Sequence, residues 1–254
     1  MPPAAITLLT DFGTADGYVA ELKGVLVSLA PGAPLVDLSH DIPPQDIAMA
    51  RLTVARYWRR FPVGTVHVVV VDPGVGTTRA AIAIASEGRL LVGPDNGVLS
   101  PALFSIDARV VQLPIDDTAS ATFHGRDVFA PVAARLACGA PLEQIGEPYA
   151  GAVRLRTPPP RRDAHGLLHG EVLTLDRFGN IITNLMTRDV SGMVKICGRA
   201  ARLVRTYGEA ARGELVALVG SSGFCGDRRY AKEARRSYLG SNAAPAGRCS
   251  RART

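Results

Sequence analysis

The chain has only four cysteines, Cys138, Cys197, Cys225 and Cys249, with no CxxC pair and no histidine at ligand spacing beside them. That scarcity argues against a disulfide framework and a thiolate zinc site, and leaves isolated reduced thiols. No apolar run approaches the roughly 20 residues needed to span a bilayer. The start, MPPAAITLLTDFG, lacks the basic and apolar regions of a secretory leader, so a cytoplasmic location is the default expectation. A charge excess is also missing from most of the chain. The formal net charge is +6, but residues 225–254 hold eight Lys or Arg against two acids, so the part before them is balanced. The basic pI therefore belongs to the tail. Only Tyr230 and Tyr238 interleave with its charges, so an RNA-binding role is the weakest reading, and nucleic acid is not an expected partner.

With 47% apolar residues over 254, the chain can bury the core of one large domain or of two moderate ones. The first 150 residues alternate strand and helix signals. A strand over residues 6–10 precedes a helix over 18–29 with Val19, Leu22, Leu26 and Leu29 on one face, Asp16 where an N-cap belongs, and Pro31-Gly32 as the stop. A strand at 35–38, a helix at 47–58 and strands at 66–71, 81–85 and 90–92 follow. Asp127 is placed to cap a helix over 128–138 that Gly139 closes. This order predicts an α/β N-terminal domain, residues 1–157, with a mostly parallel central sheet.

The run Thr157-Pro158-Pro159-Pro160-Arg161-Arg162 is stiff and polar and reads as a linker. Beyond it come short β segments at 171–175, 181–183, 194–196, 203–205 and 215–219, with Asn and Gly at the turns and no helix of convincing length. A smaller C-terminal β-barrel or sandwich over residues 164–224 is expected.

Chemistry concentrates where strands end. In TVHVVVVDPGVGTTR (65–79) the five valines at 66–71 demand a fully buried strand, which delivers Asp72 to the carboxyl end of the sheet, where open α/β folds bind ligands. The Gly-rich loop after it is not a P-loop, because no Gly-Lys-Ser/Thr opens a helix there. Alone, Asp72 and Arg79 also fit a turn residue and its surface partner. Asp11 ends the first strand on the same edge and suits ribose hydroxyls or simple turn capping. His124, in Phe123-His124-Gly125-Arg126-Asp127, precedes a helix start, where N–H groups gather, although a single histidine is more often structural than catalytic. Asp176-Arg177-Phe178-Gly179-Asn180 has the chemistry of a hairpin turn.

Together, LLTDFG (8–13), VDLSHDIPPQD (36–46), residues 61–79, VGPDNGVL (92–99), FHGRDVFAPVAARLA (123–137), LDRFGNIITN (175–184) and VGSSGF (219–224) resemble the S-adenosyl-L-methionine (SAM) hydroxide adenosyltransferases. These are adenosine-forming SAM hydrolases, related to fluorinating and chlorinating enzymes. The resemblance spans about residues 5–224. It implies an α/β domain plus a small β-barrel, assembled as a homotrimer with each site between the N-terminal domain of one subunit and the barrel of its neighbour. It also implies that SAM is the substrate, with no cofactor and no metal. The implied water-activating set is Asp72, Arg79 and His124. Asp11 would hold the ribose, and Asp16 and Asp176 the methionine ammonium. Phe178 would stack on adenine, Asn180 would meet its edge, and Ser221 and Ser222 would take the methionine carboxylate.

A SAM-dependent halogenase is the alternative within the superfamily. Against it, Gly125 stands where the fluorinating relatives carry a halide-binding serine, and those relatives lack the Asp, Arg and His set. A SAM- or adenosine-binding protein without catalysis is the alternative outside it, because the pattern breaks after Phe224. There the Arg-rich sequence CGDRRYAKEARRSYLGSNAAPAGRCSRART has no strand-like alternation and reads as a disordered tail or an out-of-frame translation, leaving the barrel without its last strand.

Overall fold

The computed structural model describes residues 2–186, 189–190, 193–196, 198–211, 214–220, 224–227 and 248–253. Two compact units are present, Met1–Arg156 and Thr157–Thr254.

Unit 1 contains β1 (Ile6–Thr10), α1 (Tyr18–Leu29), β2 (Leu35–Ser39), α2 (Ile47–Tyr57), β3 (Val66–Val70), β4 (Ala81–Ser86) and β5 (Arg89–Pro94). After these come α3 (Ser100–Leu103), β6 (Arg109–Gln112), α4 (Ala130–Ala137) and β7 (Glu147–Pro148). Its sheet has the order β2-β1-β3-β5-β4-β6-β7. Strands β2, β1, β3 and β5 are mutually parallel, and β4, β6 and β7 extend the sheet antiparallel. Successive side chains of a strand point to opposite faces, so each apolar strand feeds two cores. Ile6, Leu8, Val66, Val68 and Val70 pack with Leu22 and Leu26 of α1 and Ala133 and Leu136 of α4. Leu9, Val69, Val71, Ile82 and Leu91 pack on the other face with Ala50, Val54, Trp58 and Leu99. Helices on both faces explain why β3 tolerates no polar alternation except His67.

Several local expectations change. Ser86 and Arg89 are joined by a two-residue turn in which Glu87 (φ 48°) and Gly88 (φ 69°) are both left-handed. Such a turn matches the strand twist and makes β4–β5 a tight hairpin, so β4 lies outside β5. Asp16 is not the N-cap of α1: that position is Gly17, left-handed at φ 79°, and no side chain caps it. Leu22 and Leu26 are buried as expected, whereas Leu29 is half exposed. In α2 the N-cap is Asp46, whose Oδ1 accepts from the Met49 N–H at 2.8 Å, and Ala55 faces solvent. The helix expected over 128–138 begins instead as a wide π turn, Gly125–Phe129, that leads into α4. Asp127 does not cap it. Its carboxylate accepts from the Ser120 N–H at 2.9 Å and pairs with Arg126. Gly139 (φ 92°) does close α4.

Unit 2 contains β8 (Arg161–Arg162), β9 (Leu168–Leu175), β10 (Ile181–Met186), β11 (Met193–Ile196) and β12 (Arg199–Val204), followed by β13 (Val216–Val219), β14 (Phe224–Asp227) and β15 (Arg248–Arg253). The order is β10-β14-β13-β12-β11-β15-β9-β8, with a further β9–β10 pairing. Leu168, Ile181, Leu185, Val194, Ala201 and Ala217 form its core, and no α-helix occurs among its described residues. Two expectations fail here. Arg161 and Arg162 join the sheet against β9, and Asn184 Nδ2 donates to the Pro158 carbonyl at 2.8 Å, so the proline-rich run is held in place. The backbone beyond Phe224 also forms strands: main-chain pairing needs no apolar alternation. Most of the compositional break, residues 228–247, lies outside the described residues. No described helix is long and apolar enough to cross a membrane.

Candidate active site

The parallel register pairs Thr10 with Val70, so the chain leaves β1 and β3 at the same edge of the sheet with Asp11 and Asp72 just beyond. Loop 72–79 then folds through two successive turns. The Val75 N–H donates to the Asp72 carbonyl and the Thr77 N–H to the Gly74 carbonyl, each at 3.2 Å. This returns Arg79 onto Asp72. Arg79 Nε donates to Asp72 Oδ1 at 2.9 Å and Nη2 donates to Oδ2, a bidentate pair whose side chains are 10% and 5% exposed. The fork geometry of a guanidinium suits a carboxylate, and desolvation strengthens the pair.

The same Nη2 contacts His124 Nδ1 at 3.0 Å. A guanidinium has only donors, so Nδ1 accepts, and a neutral imidazole must then carry its proton on Nε2. The contact to the imidazole therefore comes from Arg79. Asp72 bears on the imidazole tautomer indirectly, by holding the guanidinium that donates to Nδ1. Burial and the neighbouring guanidinium hold His124 below its ordinary pKa, with Asp72 and Asp127 pulling the other way. Arg79 also lies 5.4 Å from the Phe129 ring centroid, and its Nη1 is buried with no hydrogen-bond partner among the described residues.

Asp72 and His124 open onto a cleft of about 290 Å³ that Asp11, Phe12, Gln45, Phe123 and Gly125 also line. Asp11 Oδ2 accepts from the Gln45 N–H at 2.7 Å, and Gln45 is left-handed at φ 65°. Phe12, Phe123 and Tyr18 stack edge to face, with centroids 5.4 to 6.2 Å apart. Gly125 is tightly seated, since a Cβ there would lie 3.3 Å from Phe12 and 3.4 Å from Phe123. The sequence reading missed Phe12, Phe123 and Gln45 as cleft walls. All three lie within the motifs at 8–13, 36–46 and 123–137, but a glutamine gives no warning of the left-handed backbone that Gln45 adopts. Among the described residues, no group of three or more His, Cys, Asp or Glu is placed to hold a metal.

Of the other expected residues, Asp16 is exposed and outside the cleft lining. Asp176 lies in the turn between β9 and β10 and spends its carboxylate locally. Oδ1 accepts from the Phe178 and Asn180 N–H groups at 2.9 and 2.8 Å, and Oδ2 from Asn180 Nδ2 at 2.6 Å. That turn leaves Phe178 81% exposed and Asn180 Oδ1 buried without a partner among the described residues. Ser221 and Ser222 lie outside the described residues.

The chain resembles known proteins over most of its length. Residues 6–146 match the model of the SAM hydroxide adenosyltransferase N-terminal domain and residues 170–226 that of its C-terminal domain. An (R)-S-adenosyl-L-methionine hydrolase of Salinispora arenicola is 46% identical over 231 residues, 86% of this chain and 87% of that protein. A fluorinase of an Actinoplanes species is 29% identical over 218 residues, 73% of this chain and 72% of that protein. The crystal structure of an uncharacterized conserved protein from Thermotoga maritima superposes with a TM-score of 0.85 at 31% identity, covering 98% of this chain and all of that one. With the carboxylate, guanidinium and imidazole assembled at the sheet edge and both domains matched in order, the chain belongs to the SAM hydroxide adenosyltransferase family.

Proposed function

We propose that the protein hydrolyses SAM to adenosine and L-methionine by attack of water or hydroxide on the 5′-carbon. The observation that carries this reading is the buried Arg79 fork, which grips Asp72, donates to His124 Nδ1 and keeps one further donor, Nη1, unpartnered among the described residues. In the reaction the water oxygen bonds to C5′ while the C5′–S bond breaks. The electron pair stays on sulfur, methionine leaves as a neutral thioether, and the water proton passes to solvent. No general acid is required. The difficulty is the nucleophile, since water has a pKa of about 15.7.

With Nδ1 accepting from Arg79, His124 offers Nε2–H, which favours donation to the attacking oxygen over removal of its proton. Arg79 supplies permanent positive charge beside it, and Asp72 aims the guanidinium. A permanent positive charge and a hydrogen-bond donor beside the bound water favour its hydroxide form, which is the more reactive nucleophile, and its charge is consumed as the C5′–S pair returns to the sulfonium. Asp11, at the cleft wall, is assigned to the ribose hydroxyls, and Asp16 and Asp176 to the methionine ammonium. Exposed Phe178 is assigned to stacking on adenine, Asn180 with its free Oδ1 to the base edge, and Ser221 and Ser222 to the methionine carboxylate.

The β9–β10 pairing, which links strands far apart in the order of the second sheet, supports reading unit 2 as a small closed barrel. We further assign residues 1–157 to the α/β domain and 164–224 to the body of the barrel; residues 225–254 are compositionally an atypical basic tail, of which β14 and β15 nevertheless pair with the barrel strands. The assembly is a cytoplasmic homotrimer with its sites at subunit interfaces, and SAM is used as substrate without a cofactor.

The test is incubation of purified protein with SAM, with chromatography for adenosine and methionine. Adenosine release that drops sharply in both Arg79→Ala and His124→Ala is expected. No release, or near-normal turnover in both variants, overturns the proposal, and SAM binding by calorimetry without product would mark a binding protein. SAM loss that depends on chloride or fluoride and yields a 5′-halo product would assign a halogenase instead; the tight seat around Gly125 speaks against that outcome.

A further inference from the structure

Loop 72–79 carries two of the three reacting-site groups, and a neighbouring turn grips both of its stems. Asn96 Nδ2 donates to the Val71 carbonyl at 2.8 Å, immediately before Asp72. The Asp95 N–H donates to the Ala80 carbonyl at 2.9 Å, immediately after Arg79. The strand register explains why a side chain is used. Leu90 donates its N–H to the Thr65 carbonyl. Continuing by twos sets residue 94 against the Val69 carbonyl and residue 96 against that of Val71. Pro94 has no N–H, and Gly93 lies so close that a Cβ would stand 2.4 Å from the Val69 oxygen. The main-chain ladder stops there, and the Asn96 amide supplies the donor for the last carbonyl before the carboxylate.

The turn is itself anchored. Asn96 Oδ1 accepts from the Val98 N–H at 3.1 Å. The buried Asp95 carboxylate accepts from Tyr149 Oη at 3.1 Å and from the Val153 N–H at 2.8 Å. At its far end loop 72–79 rests on the segment leading to His124, because Gly76 (φ 75°) approaches the Ala121 carbonyl so closely that a Cβ would stand 2.3 Å from it. The loop is thus clamped at both stems and braced at its tip.

We propose that Asn96 is a positioning residue for the reaction: its side-chain amide fixes the Val71 carbonyl and so the placement of Asp72 and of the Arg79 fork on His124. The kinetic part of this inference rests on the hydrolase reading, and the spectroscopic part does not.

Asn96→Asp keeps the acceptor for Val98 and removes the donor to Val71, whereas Asn96→Ala removes both. Displacing catalytic groups by ~1 Å costs about 100-fold, so kcat for adenosine release should fall about 10- to 100-fold in both variants, with KM for SAM within about threefold of wild type. The second readout is the His124 imidazole, titrated by NMR. Releasing Arg79 from Nδ1 should raise its pKa toward the ordinary histidine value in both variants. Unchanged kcat, a loss confined to KM, or an unchanged His124 titration would overturn the proposal. Failure of both variants to fold would also overturn it, assigning Asn96 to global stability. If wild type releases no adenosine, the hydrolase reading fails, and the His124 titration still decides the role of Asn96.

Discussion

Replacing Arg79 by methionine leaves the Asp72 carboxylate, 5% exposed, without the cation that its bidentate hydrogen bonds serve. Two unit charges about 4 Å apart attract by about 4 kcal/mol at an effective dielectric constant near 20, and removing one partner of a buried pair typically costs about 3–5 kcal/mol. Because both side chains keep slight solvent contact, we expect about 3 kcal/mol for Arg79→Met. Asp72→Asn, which strands the guanidinium but keeps an acceptor for it, should cost about 2 kcal/mol. The double variant has no unpaired charge and should lie well below the sum, giving a coupling energy of about 2–3 kcal/mol. The assay is urea denaturation followed by fluorescence of Trp58, the single tryptophan and fully buried in unit 1. With urea slopes of about 1–3 kcal/mol per molar, Arg79→Met should lower the midpoint by about 1–3 M. Additivity of the two single costs within about 0.5 kcal/mol would refute the claim that these groups act as a desolvated pair.

Three further outcomes are expected. Burial pushes the His67 imidazole down to about 4, so the unfolded chain takes up a proton near pH 6.5 while the folded chain does not until about pH 4. Stability is whole above about pH 6.5 and should fall by about 3 kcal/mol as pH drops to 4, a loss that denaturation curves of His67→Gln should show largely removed. His124 is held below its ordinary value, so the acid limb of kcat/KM for adenosine release should lie below the usual histidine range; a limb at or above that range would contradict the Arg79 contact. Gly76→Ala combines a left-handed backbone with a 2.3 Å approach to the Ala121 oxygen and should cost more than about 2 kcal/mol. Gly13→Ala, at φ 66° with nothing within 4 Å, should cost only about 1 kcal/mol in the same denaturation assay.

Much of unit 1 was legible because its signals are local. The valine run over 66–71 could be satisfied only in a sheet covered on both faces, and Leu22 and Leu26 recur at helical spacing. The hairpin at Glu87-Gly88 was not legible as a reversal of direction, since a glutamate gives little warning of a left-handed φ. The π turn at Gly125–Phe129 was hidden for a related reason: its Asp127 has the chemistry of a cap, yet its carboxylate is taken by Ser120 and Arg126. In unit 2 the strands at Phe224–Asp227 and Arg248–Arg253 lie in sequence without apolar alternation, because their pairing rests on main-chain groups.

Local signals placed Asp72 at the end of a buried strand, Arg79 at the end of its glycine loop and His124 at a helix start, and left each open to a structural reading; it was the resemblance carried by the ordered motifs that nominated the three as a set. Tertiary structure alone decided how the three are joined. Arg79 is the hub, His124 Nδ1 accepts from it, and Asp72 acts on the imidazole only through the guanidinium. It also decided that Asn96, in the turn that follows β5, the strand beside β3, holds the carbonyl before Asp72. Spacing along a chain fixes which groups reach a sheet edge, whereas hydrogen-bond direction and desolvation depend on atoms that only folding brings within 3 Å of one another.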